Sequence, residues 1–487
     1  MRSVIFTPLV ALSLLLAGCG GGDGGSGSSG GGTGATPTPS PTPTPTPTPT
    51  TSACSLSARQ AWALAALQEW YLFPDQLDSS VDPDAYTDLQ SYIDALVAPA
   101  RAQSKDRYFT YVTSIEEENA YYSSGQTAGL GIRIGFDYSA GRLFVIEAYE
   151  SGPAYARGFD RGTEVVSIGT STSNLQTVSS LYSGGGIEAV SAALGDSTVG
   201  TTRVFQIRQL DGTLSTVSVT KSNFEIAPLS SRYGHKVITS NGRKVGYVNL
   251  RTFVDTAEPA LREAFADLRS QGVSDVVVDL RYNGGGLISV AETFSNLLNR
   301  GRGGAVMSYT RYRDSKSDYN RTTYFTTENS AIAATRVAFI GTGSTASASE
   351  LVMNAQKPYI PNQVALVGAN TYGKPVGQIG LDYSECDDRL RVVALRTENA
   401  ANEGDYYTGL AGTYPATCQA GDDIGYQLGD PAEASVQAAI GFLNGNSCTP
   451  IGAARSGGVA TQSIGATRKP LEARKPNFAQ RELPGLF

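Results

Sequence analysis

Residues 343–350 read GSTASASE, four hydroxyl side chains between a glycine and a glutamate. Serine-rich runs usually serve as linkers, but this one lies between two apolar segments, RVAFIG (336–341) and LVMNAQ (351–356). Small residues permit a tight strand-to-helix turn, and a hydroxyl at such a turn sits beside the unpaired N–H groups of the helix start. Those donors can stabilise an oxyanion. The stretch therefore reads as a turn that presents one serine inside an α/β layer structure.

Neighbouring segments support that architecture. KVGYVNL (244–250), SDVVVDL (274–280), VAFIG (337–341) and VALVG (364–368) read as strands, and the valine runs suit a sheet covered on both faces. Helical stretches open at Glu258-Pro259 and at Leu287. Repeated strand–turn–helix units imply helices layered on a sheet. Asn283-Gly284-Gly285-Gly286 forms one such turn, where missing side chains would let a substrate approach the backbone.

Histidine is nearly absent. His235, the one histidine in the sequence, lies in the polar stretch SSRYGHKV (230–237) and reads as a surface residue. An activated serine would then need another base, and lysine is the known alternative. Lysine works as a base only when an apolar surrounding disfavours its ammonium form. Lys374 in GANTYGKPVGQIGL (368–381) is flanked by glycines and has no acid beside it in sequence.

The ends of the chain bear on location. MRSVIFTPLVALSLLLAGC (1–19) has an early positive charge and a short apolar run, the plan of a cleaved export signal. Leu16 to Cys19 resembles a bacterial lipobox, which makes Cys19 the lipidation candidate and residues 1–18 the signal. Gly20 lacks the aspartate that retains many lipoproteins at the inner membrane, which favours the outer membrane, facing the periplasm or the cell surface. A Gly/Ser-rich stretch and the alternating Thr-Pro run of residues 36–51 complete a linker over 19–53, its Thr-Pro part a polyproline spacer of roughly 45–50 Å at ~3.1 Å per residue. Lys plus Arg total 38 against 45 Asp plus Glu, a formal charge of −7, which argues against a nucleic-acid surface. Four further cysteines, Cys54, Cys386, Cys418 and Cys448, suggest two disulfides in an exported chain. Three pairings are open; Cys386–Cys418 would close a local excursion and Cys54–Cys448 would staple the two ends. No CxxC spacing or histidine cluster points to a metal, and no cofactor is expected.

Between linker and core, residues 54–126 read as a small helical domain, with Ser57-x-x-Gln60 as a capping box for AWALAALQEWYL (61–72) and a second helix at 84–97. It shows no chemistry. Residues 127–225 read as short strands and glycine turns: AGLGIRI (128–134), RLFVIEAY (142–149), SGPAYARGFDRGTEVVSIG (151–169), a helix near 187–194, and TTRVFQIRQ (201–209). The order resembles a PDZ domain of the bacterial protease type. By that resemblance Gly129, Leu130, Gly131 and Ile132 form the loop whose N–H groups hold a peptide carboxylate while the peptide adds as a strand. Gly162-Thr163 departs from the usual Gly-Asp.

DLRYNGG (279–285), STASASE (344–350) and TYGKPVGQ (371–378), in that order, resemble the three signature segments of the S41 family, the C-terminal processing or tail-specific peptidases. The resemblance covers roughly residues 127–445. It implies a ClpP/crotonase-like core over 226–448, with a PDZ-like β domain inserted or preceding and the helical domain in front. It further implies Ser347 as nucleophile, Lys374 as general base, Gln378 as the residue orienting the lysine, and Gly285 with the Ala348 amide as oxyanion hole. The Ser347-to-Lys374 spacing exceeds the family pattern slightly, with the extra length at KPYIPNQ (357–363), so Ser349 stays open as the nucleophile. No acid follows the serine helix, where the sequence is Gln356-Lys357-Pro358, and Asp279 and Arg281 read as structural.

The expectation is an exported, lipid-anchored serine endopeptidase acting on proteins or peptides with free C-termini through an acyl-enzyme. An adaptor or further copies of the chain stay open as partners, alongside the membrane. A catalytically silent envelope protein of the same fold that binds peptides or apolar ligands and an envelope scaffold are the other classes. The last stretch, 449–487, reads as a disordered tail, although its apolar end ELPGLF (482–487) makes self-trimming an expectation.

Overall fold

The computed structural model describes residues 52–452, 468–474 and 476–487. Its central sheet has six strands in the order His235–Ser240, Arg243–Asn249, Asp275–Asp279, Arg336–Gly341, Val364–Gly368 and Thr417–Gln419. The first pair is antiparallel and the rest are parallel. The valine run of 276–278 shows why both faces must be covered. Val276 and Val278 join a core with helices Ala257–Ser270, Ile288–Leu298 and Ala348–Gln356, while Val277 joins a second core with helix Ala434–Leu443. Alternation of side chains along a strand sends neighbours to opposite faces.

A second, antiparallel sheet carries Tyr111–Ser114, Asp388–Asn399, Val306–Tyr312 and Arg321–Tyr324, with Val376–Tyr383 also paired to the long strand Asp388–Asn399. The stretch read as a small helical domain packs onto this sheet. Helices Leu56–Trp70 and Leu89–Leu96 share one apolar cluster with Val376, Leu390, Val392 and Val393. The first helix is capped by Ser55, which accepts from the Ala58 N–H, rather than by Ser57, and Ser57 falls inside the helix.

A third sheet orders Ile132–Asp137, Arg142–Ala148, Glu164–Gly169, Thr202–Arg208 and Leu214–Thr220, with helix Val178–Leu194 against it. The segments leading in and out of this β domain, Gln126–Gly129 and Ser222–Glu225, pair with each other. Tyr111–Ser114 already belongs to the second sheet, so the β domain is an insertion rather than a preceding unit.

Two expectations are corrected. The disulfides join Cys54 to Cys386 and Cys418 to Cys448, with Cα atoms 5.4 and 5.3 Å apart. Helix Leu56–Trp70 brings Cys54 against the long hairpin that bears Cys386, and Cys418 sits in the last central strand, where Gln419 N–H bonds to Thr449 O. The tail is also not disordered where it is described. Arg468–Pro470 forms a strand on Ile132–Asp137, and Phe478–Glu482 forms a helix capped by Asn477. Six apolar tail side chains, Leu471, Phe478, Ala479, Leu483, Leu486 and Phe487, are buried, which is what offsets the entropy of ordering the segment. The signal, Cys19 and nearly all of the linker lie outside the described residues.

Candidate active site

The four hydroxyls of GSTASASE have separate surroundings. Thr345 Oγ1 donates to Leu280 O at 2.8 Å and Ser349 Oγ donates to Asn283 O at 3.0 Å, so both fasten the turn to the neighbouring strand end. Ser344 is buried and its N–H donates to Thr342 Oγ1. Ser347 differs. It is half-buried, it precedes helix Ala348–Gln356, and its backbone has φ +55° and ψ −116°. A non-glycine residue held there costs about 1–3 kcal/mol and persists only where the surroundings impose it.

One surrounding group is Glu350, which the sequence reading passed over. Its buried carboxylate accepts from the N–H groups of Ser347 (3.1 Å), Lys374 (2.7 Å) and Gly373 (2.8 Å), and from Thr371 Oγ1 (2.6 Å). A single side chain thus ties the serine turn to the lysine loop. Burial raises its pKa, and the four donors pull the other way. A glutamate three residues after a serine at a helix start is the sequence signal that could have found it.

Lys374 Nζ donates to Gln378 Oε1 at 2.7 Å, and Gln378 Nε2 in turn donates to Phe109 O. Burial lowers the lysine pKa from its ordinary value; Glu482 opposes that shift and Arg391 adds to it. The Phe109 ring lies 5.0 Å from Nζ, and Arg107 Nη2 donates to the carbonyls of Tyr372 (2.7 Å) and Gly373 (2.6 Å). The stretch before the β domain, expected to hold no chemistry, therefore grips the lysine loop from outside.

Ser347, Ala348, Lys374, Gln378, Gly286 and Glu482 line one small cavity of about 50 Å³. Ser349 does not reach it. Gly285, with φ +117°, lies so close to the serine that an added Cβ would sit 2.7 Å from Ser347 Cβ and 3.0 Å from Ala348 N. Its own N–H is engaged with Asn283 Oδ1 at 2.9 Å, so the expected oxyanion role of Gly285 meets an occupied donor, and Gly286 is the glycine that faces the cavity. Asp279 and Arg281 sit in a buried ion network with Asp422 and Glu433. His235 is on the surface, 3.7 Å from Asp267.

The loop of Gly129, Leu130, Gly131 and Ile132 stands at the edge of the β domain. Gly131 and Ile132 N–H groups both donate to Phe487 O, at 2.9 and 3.3 Å, and Phe487 N–H returns a bond to Ile132 O at 2.9 Å. Leu130 points into the β-domain core. Among the described residues there is no group of three or more His, Cys, Asp or Glu that could hold a metal ion.

Residues 244–405, which carry Ser347, Glu350, Lys374 and Gln378, match the family model described as Peptidase family S41. The chain carries an S41 peptidase domain. It is 30% identical over 269 residues to the C-terminal processing peptidase of Tetradesmus obliquus, and 30% identical over 304 residues to carboxyl-terminal-processing peptidase 2 of Arabidopsis thaliana, both chloroplastic. These alignments take in 54% and 60% of this chain and 54% of each relative, so the chain spans about half the length of the curated relatives it matches. Among solved structures, an S41 protease from Bacteroides fragilis superimposes with a TM-score of 0.61 at 22% identity, covering 79% of this chain and 97% of that one. That likeness concerns the fold. The S41 domain of this chain is thus assembled with two partners from outside residues 244–405, the Arg107–Phe109 stretch and the tail.

Proposed function

We propose that this chain is an exported serine endopeptidase that cleaves proteins or peptides near their C-termini through a Ser347–Lys374 dyad. The observation that carries the reading is the meeting of Ser347, held at positive φ, with a lysine whose ammonium form burial disfavours, in one cavity. Neutral Lys374 takes the Ser347 proton as Oγ attacks the substrate carbonyl carbon, and the carbonyl π electrons move to oxygen. The Ala348 N–H, at the first helical position, and the Gly286 backbone face the place where that oxyanion forms. Collapse breaks the peptide C–N bond, with the Lys374 proton passing to the leaving amine. Lys374, neutral again, takes a proton from water as the water oxygen attacks the acyl carbon, and that proton returns to Ser347 Oγ as the ester C–O bond breaks. Gln378 fixes the position of Nζ, and Glu350 fixes the two backbones relative to each other.

By its sequence resemblance the β domain is a PDZ-like module that presents peptide ends through Gly129–Ile132. Cys19 is the proposed lipid anchor, placing the enzyme at the cell envelope, with the outer membrane the favoured site. No described helix is long and apolar enough to cross a membrane. Casein turnover by the purified chain tests the reading. The native chain is expected to release peptides and Ser347→Ala to release none, with both showing the same circular dichroism. Equal turnover by the two would overturn it.

A further inference from the structure

The peptide loop and the serine cavity are covered by the same segment, the chain's own residues 468–487. Arg468–Pro470 pairs antiparallel with the outer part of Ile132–Asp137. The chain then leaves the edge and returns, and Gly485 O accepts from Ile134 N–H at 2.7 Å just before Phe487 meets the loop. Two pieces of one tail thus fill one strand edge, and the second is seated as an added peptide strand would be. The Phe487 ring is buried in the β-domain core cluster, and Leu486 is buried against Tyr111, Tyr149 and Phe224.

Between these anchor points lies helix Phe478–Glu482, whose last residue, Glu482, lines the cavity. Phe478 stacks edge-on against Tyr121 and Tyr122, with centroids 5.3 and 5.2 Å away. The backbone of Glu482 runs so close to the glycine turn that a Cβ on Gly284 would sit 2.1 Å from Glu482 O. The Glu482 side chain lines the cavity with Ser347 and Lys374 and accepts from Tyr111 Oη at 3.3 Å.

We propose that residues 476–487 are an intramolecular pseudosubstrate: the tail holds the peptide loop through Leu486-Phe487 and lays an uncleavable helical turn with an acidic side chain across the Ser347 cavity. A helical turn resists attack because its backbone groups are spent on itself: Leu483 N–H bonds to Ala479 O at 2.8 Å and Arg481 N–H to Asn477 O at 3.2 Å, so neither can pair with the enzyme as an extended substrate would. The acid adds to this. Lys374 must be neutral to act as a base, and Glu482 opposes the burial that lowers its pKa, while burial also raises the pKa of Glu482 itself. Other charges around Lys374 are Arg391, Asp106 and Glu350, and of the acids Glu482 has the largest influence. The same contacts define the ligand: a peptide with an aliphatic residue at the place of Leu486 and an aromatic one at the place of Phe487. The inhibitory part rests on the peptidase reading above; the docking does not.

The test uses the full chain with a site-specific protease sequence placed within 453–467, so that the tail is released only after folding. Hydrolysis of an internally quenched peptide ending in Leu-Phe is measured before and after release and gel filtration. In parallel, a fluorescein-labelled synthetic 476–487 peptide is titrated onto the released chain and read by anisotropy. Release should raise the initial rate at least about tenfold, since a site masked nine-tenths of the time acts as a tenth of the enzyme. Added 476–487 peptide should bind and return the rate to its starting value, a Phe487→Asp peptide should do neither, and mass spectrometry should find the tail intact. An unchanged rate on release, with the native and Phe487→Asp peptides binding alike, would overturn the proposal. So would a tail cut within 478–487 by the native chain and left whole by Ser347→Ala, because it would then be a substrate. Phe487-dependent binding without hydrolysis in any form would sink the peptidase reading and uphold the docking.

Discussion

The serine turn and the tail are both short segments at the same cavity, and they are held there differently. GSTASASE is fastened locally: Thr345, Ser349 and Glu350 bond to strand ends and loops of the central fold, so its geometry follows from the sheet on which it stands. The tail reaches the site from far along the chain, by burying Phe478, Leu486 and Phe487 in clusters built by other segments. Local hydrogen bonds with a strained residue make a permanent feature. Apolar docking at an edge makes a contact that can open, because regions held by few elements unfold at less than the global cost.

That contrast can be broken at several points. The largest effect is expected from Lys374→Ala, which should lower kcat by about 10³-fold or more, the scale of a lost general base, while the fold and the tail contacts persist. Activity surviving at a tenth of the native level would mean that another group takes the proton. Next is Glu350→Gln. Each Glu350 oxygen accepts two bonds, so an amide sets an N–H₂ against existing donors. A fall in kcat of about 10–100-fold is expected, together with a lower melting temperature. Native kcat at a lowered Tm would show that Glu350 serves stability alone.

Gln378→Ala should cost less, about tenfold in kcat with little change in KM. Its pH profile carries the sharper sign. The base acts when deprotonated, so activity should rise with pH through the Lys374 pKa, which burial holds below the ordinary lysine value. Removing the acceptor of the ammonium disfavours the charged form, so the rising limb should move to lower pH. A limb that moves to higher pH would contradict the account. The smallest effect is expected from Ser349→Ala, which loses one buried hydrogen bond of about 1 kcal/mol and should leave kcat within a few-fold.

Much of the core was legible because it is built from short-range patterns. The valine alternation at 276–278 fixes two covered faces, and small residues before an apolar helix mark the turn at Ser347. Lys374 stood out through its flanking glycines and the lack of histidine, whereas Gln378 came only from the resemblance to the S41 segments. What escaped depends on long-range closure. Nothing in the sequence near Phe109 announces a carbonyl that accepts from Gln378, 269 positions later. The disulfide pairing followed from where the first helix packs, not from loop length, and the composition of 449–487 hid a strand and a helix that exist because the β domain offers them an edge. Gly285 was the natural oxyanion candidate by motif, but the bond its N–H makes to Asn283 is visible only in three dimensions.

The central claim is that Ser347, and no other hydroxyl of GSTASASE, forms the covalent intermediate. Rapid acid quench of the tail-released chain during turnover of a peptide ester, followed by tandem mass spectrometry of the fragment spanning 343–350, reads this directly. The account predicts an acyl adduct on Ser347 that is absent from Ser347→Ala and present in Ser349→Ala. An adduct on Ser349, or steady turnover with no adduct on this segment, would contradict it.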